Sequence, residues 1–337
     1  MKHNTKIYET ASALVVSGKG ILAADESDPT AGKRLSMVNL PNKPENRQDF
    51  RELLFTSPGI EKYLSGVIMY DSTLRNSTDD GVPFPDVLMS KGIIPGIKVD
   101  MGIRDLYGFR GESVTQGLDN LYERLKEYYN LGARFAKWRA VITIDGDDTP
   151  TEQAIEMNVL MMVRYAQIAQ SLGVVPIVEP EVIFAGDHSL QRAELVTTKV
   201  LQILFHFLVK YRVDLSGLLL KSSMVLAGDS YPEETSPEDV ASATVRTFRL
   251  SVPSDVAGII LLSGGQDYKR ATKNLNAIAK LGRQPWPITF SFSRAIEEPV
   301  LMAWGGKSEN VSLAQETLLQ TVKDNSDASL GRLSDKY

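Results

Sequence analysis

Short apolar runs rich in Val and Ile recur along the chain, separated by longer stretches whose apolar positions follow a helical period. The runs predict strands over Gly20–Asp25, Gly66–Tyr70, Ile93–Val99, Arg134–Val141, Val174–Val182, Leu218–Ser222, Gly258–Ser263 and Ile288–Phe292. Between them, Leu118, Leu121, Leu125 and Tyr128 share one helical face, and Gly132 follows as a stop signal. Thr149-Pro150-Thr151-Glu152 opens a second helix that runs to about Ser171. Ser236-Pro237-Glu238-Asp239 opens another, with a serine cap, a proline at the first position and acids in the first turn. Strands that alternate with helices pair in parallel. About eight such units fit a closed α/β barrel of the (β/α)8 TIM type better than an open sheet.

Two stretches depart from the simple strand–helix rhythm. Asp28 to Gly59 is polar and proline-bearing, and predicts an extended loop with a helix of its own. Asp71 to Gly92 holds Asp79-Asp80-Gly81-Val82-Pro83, a turn signal. After Lys323 the chain is polar, so 324–337 predicts a mobile tail. With no internal repeat, low-complexity block or linker, residues 1–337 are expected to form a single domain.

Composition narrows the function classes. A net charge of -5 gives no global reason to bind nucleic acid or acidic membranes. There are no cysteines, which removes thiolate nucleophiles and cysteine-ligated clusters. The histidines His3, His188 and His206 do not cluster in sequence, so a three-histidine metal site is not expected. No apolar stretch is long enough to span a bilayer, and the N-terminus lacks a secretory core, so a cytoplasmic location is expected.

The chemistry sits where strands end. Side chains at i and i+2 on a strand share one face. Polar pairs with that spacing close several runs: Asp25 and Ser27, Lys98 and Asp100, Lys137 and Arg139, Glu179 and Glu181, Lys221 and Ser223. Each pair falls at the C-terminal end of its strand, where barrel active sites lie. A lone lysine at a strand end is more often a solvated rim residue. Several complementary charges at one end of one barrel are a different matter. Lys221 ends the apolar run Leu215-Ser216-Gly217-Leu218-Leu219-Leu220, and a desolvated amine beside other cations can attack a carbonyl carbon.

A phosphate subsite is also suggested. Ser263-Gly264-Gly265 follows an apolar run, with a helix expected near Gln266. Glycines there let backbone N–H groups approach an anion, and a helix N-terminus adds favourable partial charge. Ser291 and Arg294 follow the last strand, and the loops after strands 7 and 8 commonly bind phosphate in such barrels.

From about Thr10 to about Trp304 the chain resembles the class I, Schiff-base fructose-1,6-bisphosphate aldolases. The motifs include Gly18-Lys19-Gly20-Ile21-Leu22-Ala23-Ala24-Asp25-Glu26-Ser27 and Asp79-Asp80-Gly81-Val82-Pro83-Phe84-Pro85. Gly96-Ile97-Lys98-Val99-Asp100, Ala136-Lys137-Trp138-Arg139, Val178-Glu179-Pro180-Glu181 and Leu261-Leu262-Ser263-Gly264-Gly265-Gln266 follow in the family's order. The final Tyr337 resembles the family's C-terminal tyrosine. Three positions depart from the family's habit. Ser222-Ser223-Met224-Val225 stands where Pro-Asn-Met-Val is common. Ser293 stands where glycine is common, and Tyr70-Asp71-Ser72-Thr73-Leu74 lacks the common His-Glu pair.

The resemblance implies metal-independent cleavage of fructose 1,6-bisphosphate, with no cofactor. It implies that Lys221 forms the imine, and that Asp25, Lys137 and Glu179 surround the scissile bond with Glu181 and Arg139 in support. Ser263, Gly264, Gly265, Ser291 and Arg294 would hold the ketone-end phosphate, and Ser27 and Lys98 would lie toward the other. Tyr337 would assist proton transfer at the enamine carbon. Fructose 1-phosphate or sedoheptulose 1,7-bisphosphate are alternative substrates, and a binding or scaffold role on the same frame is an alternative function. A homotetramer is also implied, as is a cytoskeletal or adhesion partner.

Overall fold

The computed structural model describes residues 5–334. Its central sheet has eight parallel strands, which we number β1 (Gly20–Ala24), β2 (Leu64–Met69), β3 (Ile94–Lys98), β4 (Phe135–Ile142), β5 (Val175–Val182), β6 (Leu219–Ser223), β7 (Gly258–Leu262) and β8 (Ile288–Phe290). They pair in chain order, each with the next. The circle closes where Ala23 N–H donates to the Phe292 carbonyl at 2.9 Å. Each predicted strand overlaps an observed one, because a buried parallel strand is a continuous apolar run bounded by turn residues.

Alternation along the strands sorts the core into two compartments. Ile21, Ala23, Ile68, Phe135, Val175, Ile177, Leu219 and Ile260 point inward and pack together inside the barrel. Leu22, Ala24, Ala136, Trp138, Val178, Leu218 and Leu220, of opposite parity, pack outward under the helices. The helix Thr5–Leu14 plugs the N-terminal end of the barrel with Ile7, Ala11 and Leu14. Gly96 is required by this packing: a Cβ there would lie 2.2 Å from the Phe135 ring. Inward parity continues up each strand, from Ala23 to Asp25, Phe135 to Lys137 and Arg139, Ile177 to Glu179 and Glu181, and Leu219 to Lys221. The apolar plug below and the charged layer above are therefore one periodicity read at two heights.

Three regions differ from expectation. Asp28 to Gly59 forms two helices, Asp28–Leu35 and Pro44–Thr56, each with proline in its first positions. These start signals outweigh the polar composition that suggested a loop. A two-stranded antiparallel hairpin, Ile103–Asp105 with Ser113–Thr115, stands beside the mouth of the barrel, and no apolar run announced it. Beyond Lys323 the chain continues as helix to Ser329, because Asn325, Ser326 and Ala328 turn inward and are buried. The other helices follow the predicted pattern. Glu152–Ser171 is capped by the Thr151 hydroxyl, and Pro237–Ser251 starts with a Ser236–Asp239 capping box. The helix over Leu121, Leu125 and Tyr128 begins at Leu121, leaving Leu118 just before it. No described helix is long and apolar enough to cross a membrane.

Candidate active site

The strand ends open into a cavity of about 1170 Å³. Among its lining residues are Asp25, Ser27, Lys98, Lys137, Arg139, Glu179, Glu181, Lys221, Ser263, Gly264, Gly265, Ser291 and Arg294. The structure thus brings together every site residue expected from sequence except Tyr337, which lies outside the described residues. His188 and His206 do not line it. Ser223 is turned away, and its hydroxyl donates to the Val182 carbonyl at 2.9 Å.

The floor is a chain of alternating charges. Lys137 Nζ lies 2.7 Å from Asp25 and 3.1 Å from Glu179 Oε2. Glu179 Oε1 lies 3.1 Å from Lys221 Nζ. All three of Lys137, Glu179 and Lys221 are at most 3% exposed. Strand register explains the contact: Lys137 pairs with Ile177 in β5, so its long side chain reaches up to Glu179 one inward step higher. Burial opposes charge on Asp25 and Glu179, yet the Lys137 and Lys221 ammoniums beside them hold both carboxyls below the usual range. Burial also opposes charge on Lys137, but Asp25, Glu179 and Asp100 push its amine above the usual lysine value. The floor is therefore ionised at neutral pH at Asp25, Glu179 and Lys137.

Toward the rim, Arg139 pairs with Glu181. Asp100 ties the layer together: it takes Lys98 at 2.7 Å and the Arg139 N–H at 3.2 Å, and it lies 4.0 Å from Lys137. Ser27 caps no N–H of the helix it precedes, and its hydroxyl meets Thr30 at 3.1 Å.

Opposite lies the anion side. Gly264 and Gly265 have φ of 61° and 92°, a conformation that favours glycine. A Cβ on Gly265 would come within 3.1 Å of Arg294 Nη2, so the guanidinium rests against bare backbone. Ser291 Oγ is buried and has no hydrogen-bond partner among the described residues. An orphaned buried hydroxyl beside an exposed arginine and two glycines is a set of donors without an acceptor. The helix expected near Gln266 begins at Tyr268 instead. The Asp267 side chain already accepts its first N–H groups, from Lys269 and Arg270. The first N–H groups of that helix are thus already engaged, which leaves the glycine turn as the candidate anion cradle.

Sequence reasoning gave no role to a buried network on one wall. Glu26 and Glu297 are bridged by Arg34 and Arg51, and the Ser293 hydroxyl joins Glu26 to Arg34. The available signal was a charge on an apolar helical stripe. Arg51 sits among Phe50, Leu53, Leu54 and Phe55, and Glu297 beside Ile296, Val300 and Leu301. Among the described residues, no group of three or more His, Cys, Asp or Glu is placed to hold a metal ion.

Fold and site together define a (β/α)8 barrel whose charged floor holds a buried lysine–carboxylate–lysine relay beside an anion cradle. The family described as fructose-bisphosphate aldolase class-I matches residues 6–337, and the chain belongs to that family. It is accordingly an aldolase, a carbon–carbon lyase of glycolysis that cleaves fructose 1,6-bisphosphate. It is 50% identical to cytosolic fructose-bisphosphate aldolase 5 of Arabidopsis thaliana over 98% of this chain and 92% of that protein. It is 49% identical to fructose-bisphosphate aldolase 2 of Caenorhabditis elegans over 97% of this chain and 89% of that one. Among solved structures it superimposes on the Plasmodium falciparum fructose-bisphosphate aldolase, in a complex with TRAP and a small-molecule inhibitor, with a TM-score of 0.97. The two are 46% identical over 98% of this chain and 95% of that chain.

Proposed function

We propose that Lys221 is the amine that attacks the C2 ketone of fructose 1,6-bisphosphate. The observation that carries this is the 3.1 Å contact between its Nζ and Glu179 Oε1 in a buried, charged floor. An attacking amine must give up protons, and Glu179 is within direct reach to take one. The same carboxyl returns a proton as the carbinolamine loses water. It then takes the C4 hydroxyl proton as the C3–C4 bond breaks and its electrons pass into the iminium. Glyceraldehyde 3-phosphate leaves. The remaining enamine is protonated, with help from Tyr337, and hydrolysis frees dihydroxyacetone phosphate and Lys221.

Lys137 serves as a standing cation held by three carboxylates, which balances charge as Glu179 gains and loses its proton. Arg139 and Glu181 support the rim. Ser263, Gly264, Gly265, Ser291 and Arg294 take the ketone-end phosphate, with Arg294 as a bidentate cation. Ser27 and Lys98 face the other phosphate. Replacing Arg294 by Ala should raise KM more than it lowers kcat. Kinetic constants on fructose 1-phosphate and sedoheptulose 1,7-bisphosphate rank the alternative substrates.

The test of the mechanism is borohydride trapping. The protein is incubated with dihydroxyacetone phosphate, reduced and mapped by peptide mass. An adduct on Lys221, absent from Lys221→Met, supports the assignment. An adduct on another lysine, or none on folded protein, sinks it.

We further propose a cytoplasmic homotetramer, following the cytosolic relative and the family habit. Light scattering tests the assembly and fractionation the location. The Plasmodium falciparum relative was solved in complex with TRAP, which favours a second, adhesion-type partner for this chain as well. A pull-down with TRAP that fails to retain this protein would remove that reading.

A further inference from the structure

Ser293 occupies the N-cap position of the helix Arg294–Trp304, yet its side chain caps nothing. An N-cap serine ordinarily accepts from a backbone N–H in the first turn. Here the hydroxyl is spent elsewhere. It donates to Glu26 Oε1 and accepts from Arg34 Nη2 at 2.8 Å. Three separate pieces of the cavity wall meet at this one oxygen. Glu26 follows Asp25 at the end of β1, Arg34 belongs to the helix Asp28–Leu35, and Ser293 immediately precedes Arg294.

The network behind it is closed and buried. Arg34 Nη1 reaches both Glu26, at 2.5 Å, and Glu297. Arg51 joins the same two carboxylates from behind, at 2.6 Å to Glu297 Oε1. Each carboxylate is thus held by two guanidiniums, and Ser293 adds a neutral link. Of the five N–H donors on a guanidinium, three of Arg34's are taken, and the other two find no acceptor among the described residues. Arg34 and Ser293 both line the cavity.

We propose that Ser293 is a positioning residue that registers the Arg294 helix against the end of β1 and fixes the Arg34 guanidinium on the cavity wall, setting affinity for phosphorylated substrate. The proposal rests on the reading of this cavity as a phosphate-binding aldolase site.

The test compares Ser293→Ala, Ser293→Gly and Ser293→Thr with the unaltered protein. Steady-state kinetics on fructose 1,6-bisphosphate give KM and kcat. Calorimetric titration with inorganic phosphate gives an affinity that does not depend on turnover. Ser293→Ala and Ser293→Gly should each weaken phosphate binding and raise KM by about fivefold, the scale of one lost hydrogen bond. Their kcat should stay within about twofold, since Lys221 and Glu179 are untouched. Ser293→Thr keeps the hydroxyl and should restore the affinity. An unchanged KM and phosphate affinity in folded Ser293→Ala overturns the proposal. So does a fall in kcat with KM unmoved, or an unaltered protein that binds no phosphate. If the unaltered protein binds phosphate but does not cleave the sugar, the aldolase reading fails, and Ser293 is judged on phosphate affinity alone.

Discussion

Lys221 Nζ and Glu179 Oε1 face each other at 3.1 Å at the bottom of the barrel mouth. The pairing follows from register. Leu219 of β6 stands opposite Ile177 of β5, so the inward residues one step higher, Lys221 and Glu179, are neighbours. Both are almost fully buried, which holds an amine and a proton acceptor in direct contact at the base of the cavity.

Glu179→Gln tests the acceptor. Glutamine keeps the shape but cannot take a proton. Lys137 retains Asp25 and Asp100, so the variant should remain folded. Turnover should fall by about 10²–10⁴, the usual contribution of a positioned acid–base group. Single-turnover borohydride trapping should show slower adduct formation on Lys221. A kcat within threefold of the unaltered protein would remove Glu179 from the mechanism.

Lys137→Met should cost stability whatever it does to turnover. It leaves Asp25 without its 2.7 Å partner and Glu179 with Lys221 alone. Removing one member of a buried charge set typically costs about 3–5 kcal/mol. The pH dependence has a definite sign. Asp25 and Glu179 titrate below their ordinary values of 3.8 and 4.5 when folded. Such groups contribute stability that is present above the ordinary values and lost as pH falls through the depressed ones. Denaturant melts should therefore show the unaltered protein losing stability below those ordinary values, and Lys137→Met losing less over the same interval. Parallel acid limbs would refute the argument.

The barrel was legible because its two periodicities are both written in apolar residues. The eight runs mark the strands, and the parity of Ile21, Phe135, Ile177 and Leu219 fixes which polar residues follow them into the mouth. Asp25, Lys137, Glu179 and Lys221 could be placed together on that ground alone. The Glu26–Arg34–Glu297–Arg51 network could not, because its members come from four elements with no common spacing. Only tertiary packing brings residues 26 and 297 together. The helix over 324–329 was hidden for a related reason. Asn325 is fully buried, but its oxygen accepts from Thr272 at 3.0 Å, so a polar sequence covers a core contact. Polarity signals exposure until a partner on another helix is known.

Glu297 gives a pH effect of opposite sign to that of the floor. Burial pushes its carboxyl up to about 8, against the pull of Arg51 and Arg34 and with the push of Glu26, which itself stays below the usual range. These are the charged groups that face it from the end of β1 and from the helices Asp28–Leu35 and Pro44–Thr56. The carboxylate pair thus holds one proton near neutrality. A group whose folded value is raised contributes stability that is complete below 4.5 and lost as pH rises through about 8. Melting temperature should therefore fall between about pH 5 and 9. Glu297→Gln, a mimic of the protonated form, should flatten that fall. Identical slopes for the two proteins would show that Glu297 is ionised throughout.

Ser291 separates a binding role from a folding role within one substitution. Its hydroxyl is buried and has no partner among the described residues, so the fold gains no hydrogen bond from it there. Ser291→Ala should leave the melting temperature unchanged or raise it slightly, since a desolvated donor is removed at the cost of one oxygen's packing. A phosphate oxygen would supply the missing partner. The same variant should therefore bind inorganic phosphate about fivefold more weakly, and should lose the thermal protection that phosphate gives the unaltered protein. A drop in melting temperature without phosphate would mean that the hydroxyl already serves the fold. Equal phosphate affinity in the two proteins would mean that the anion sits elsewhere in the cavity.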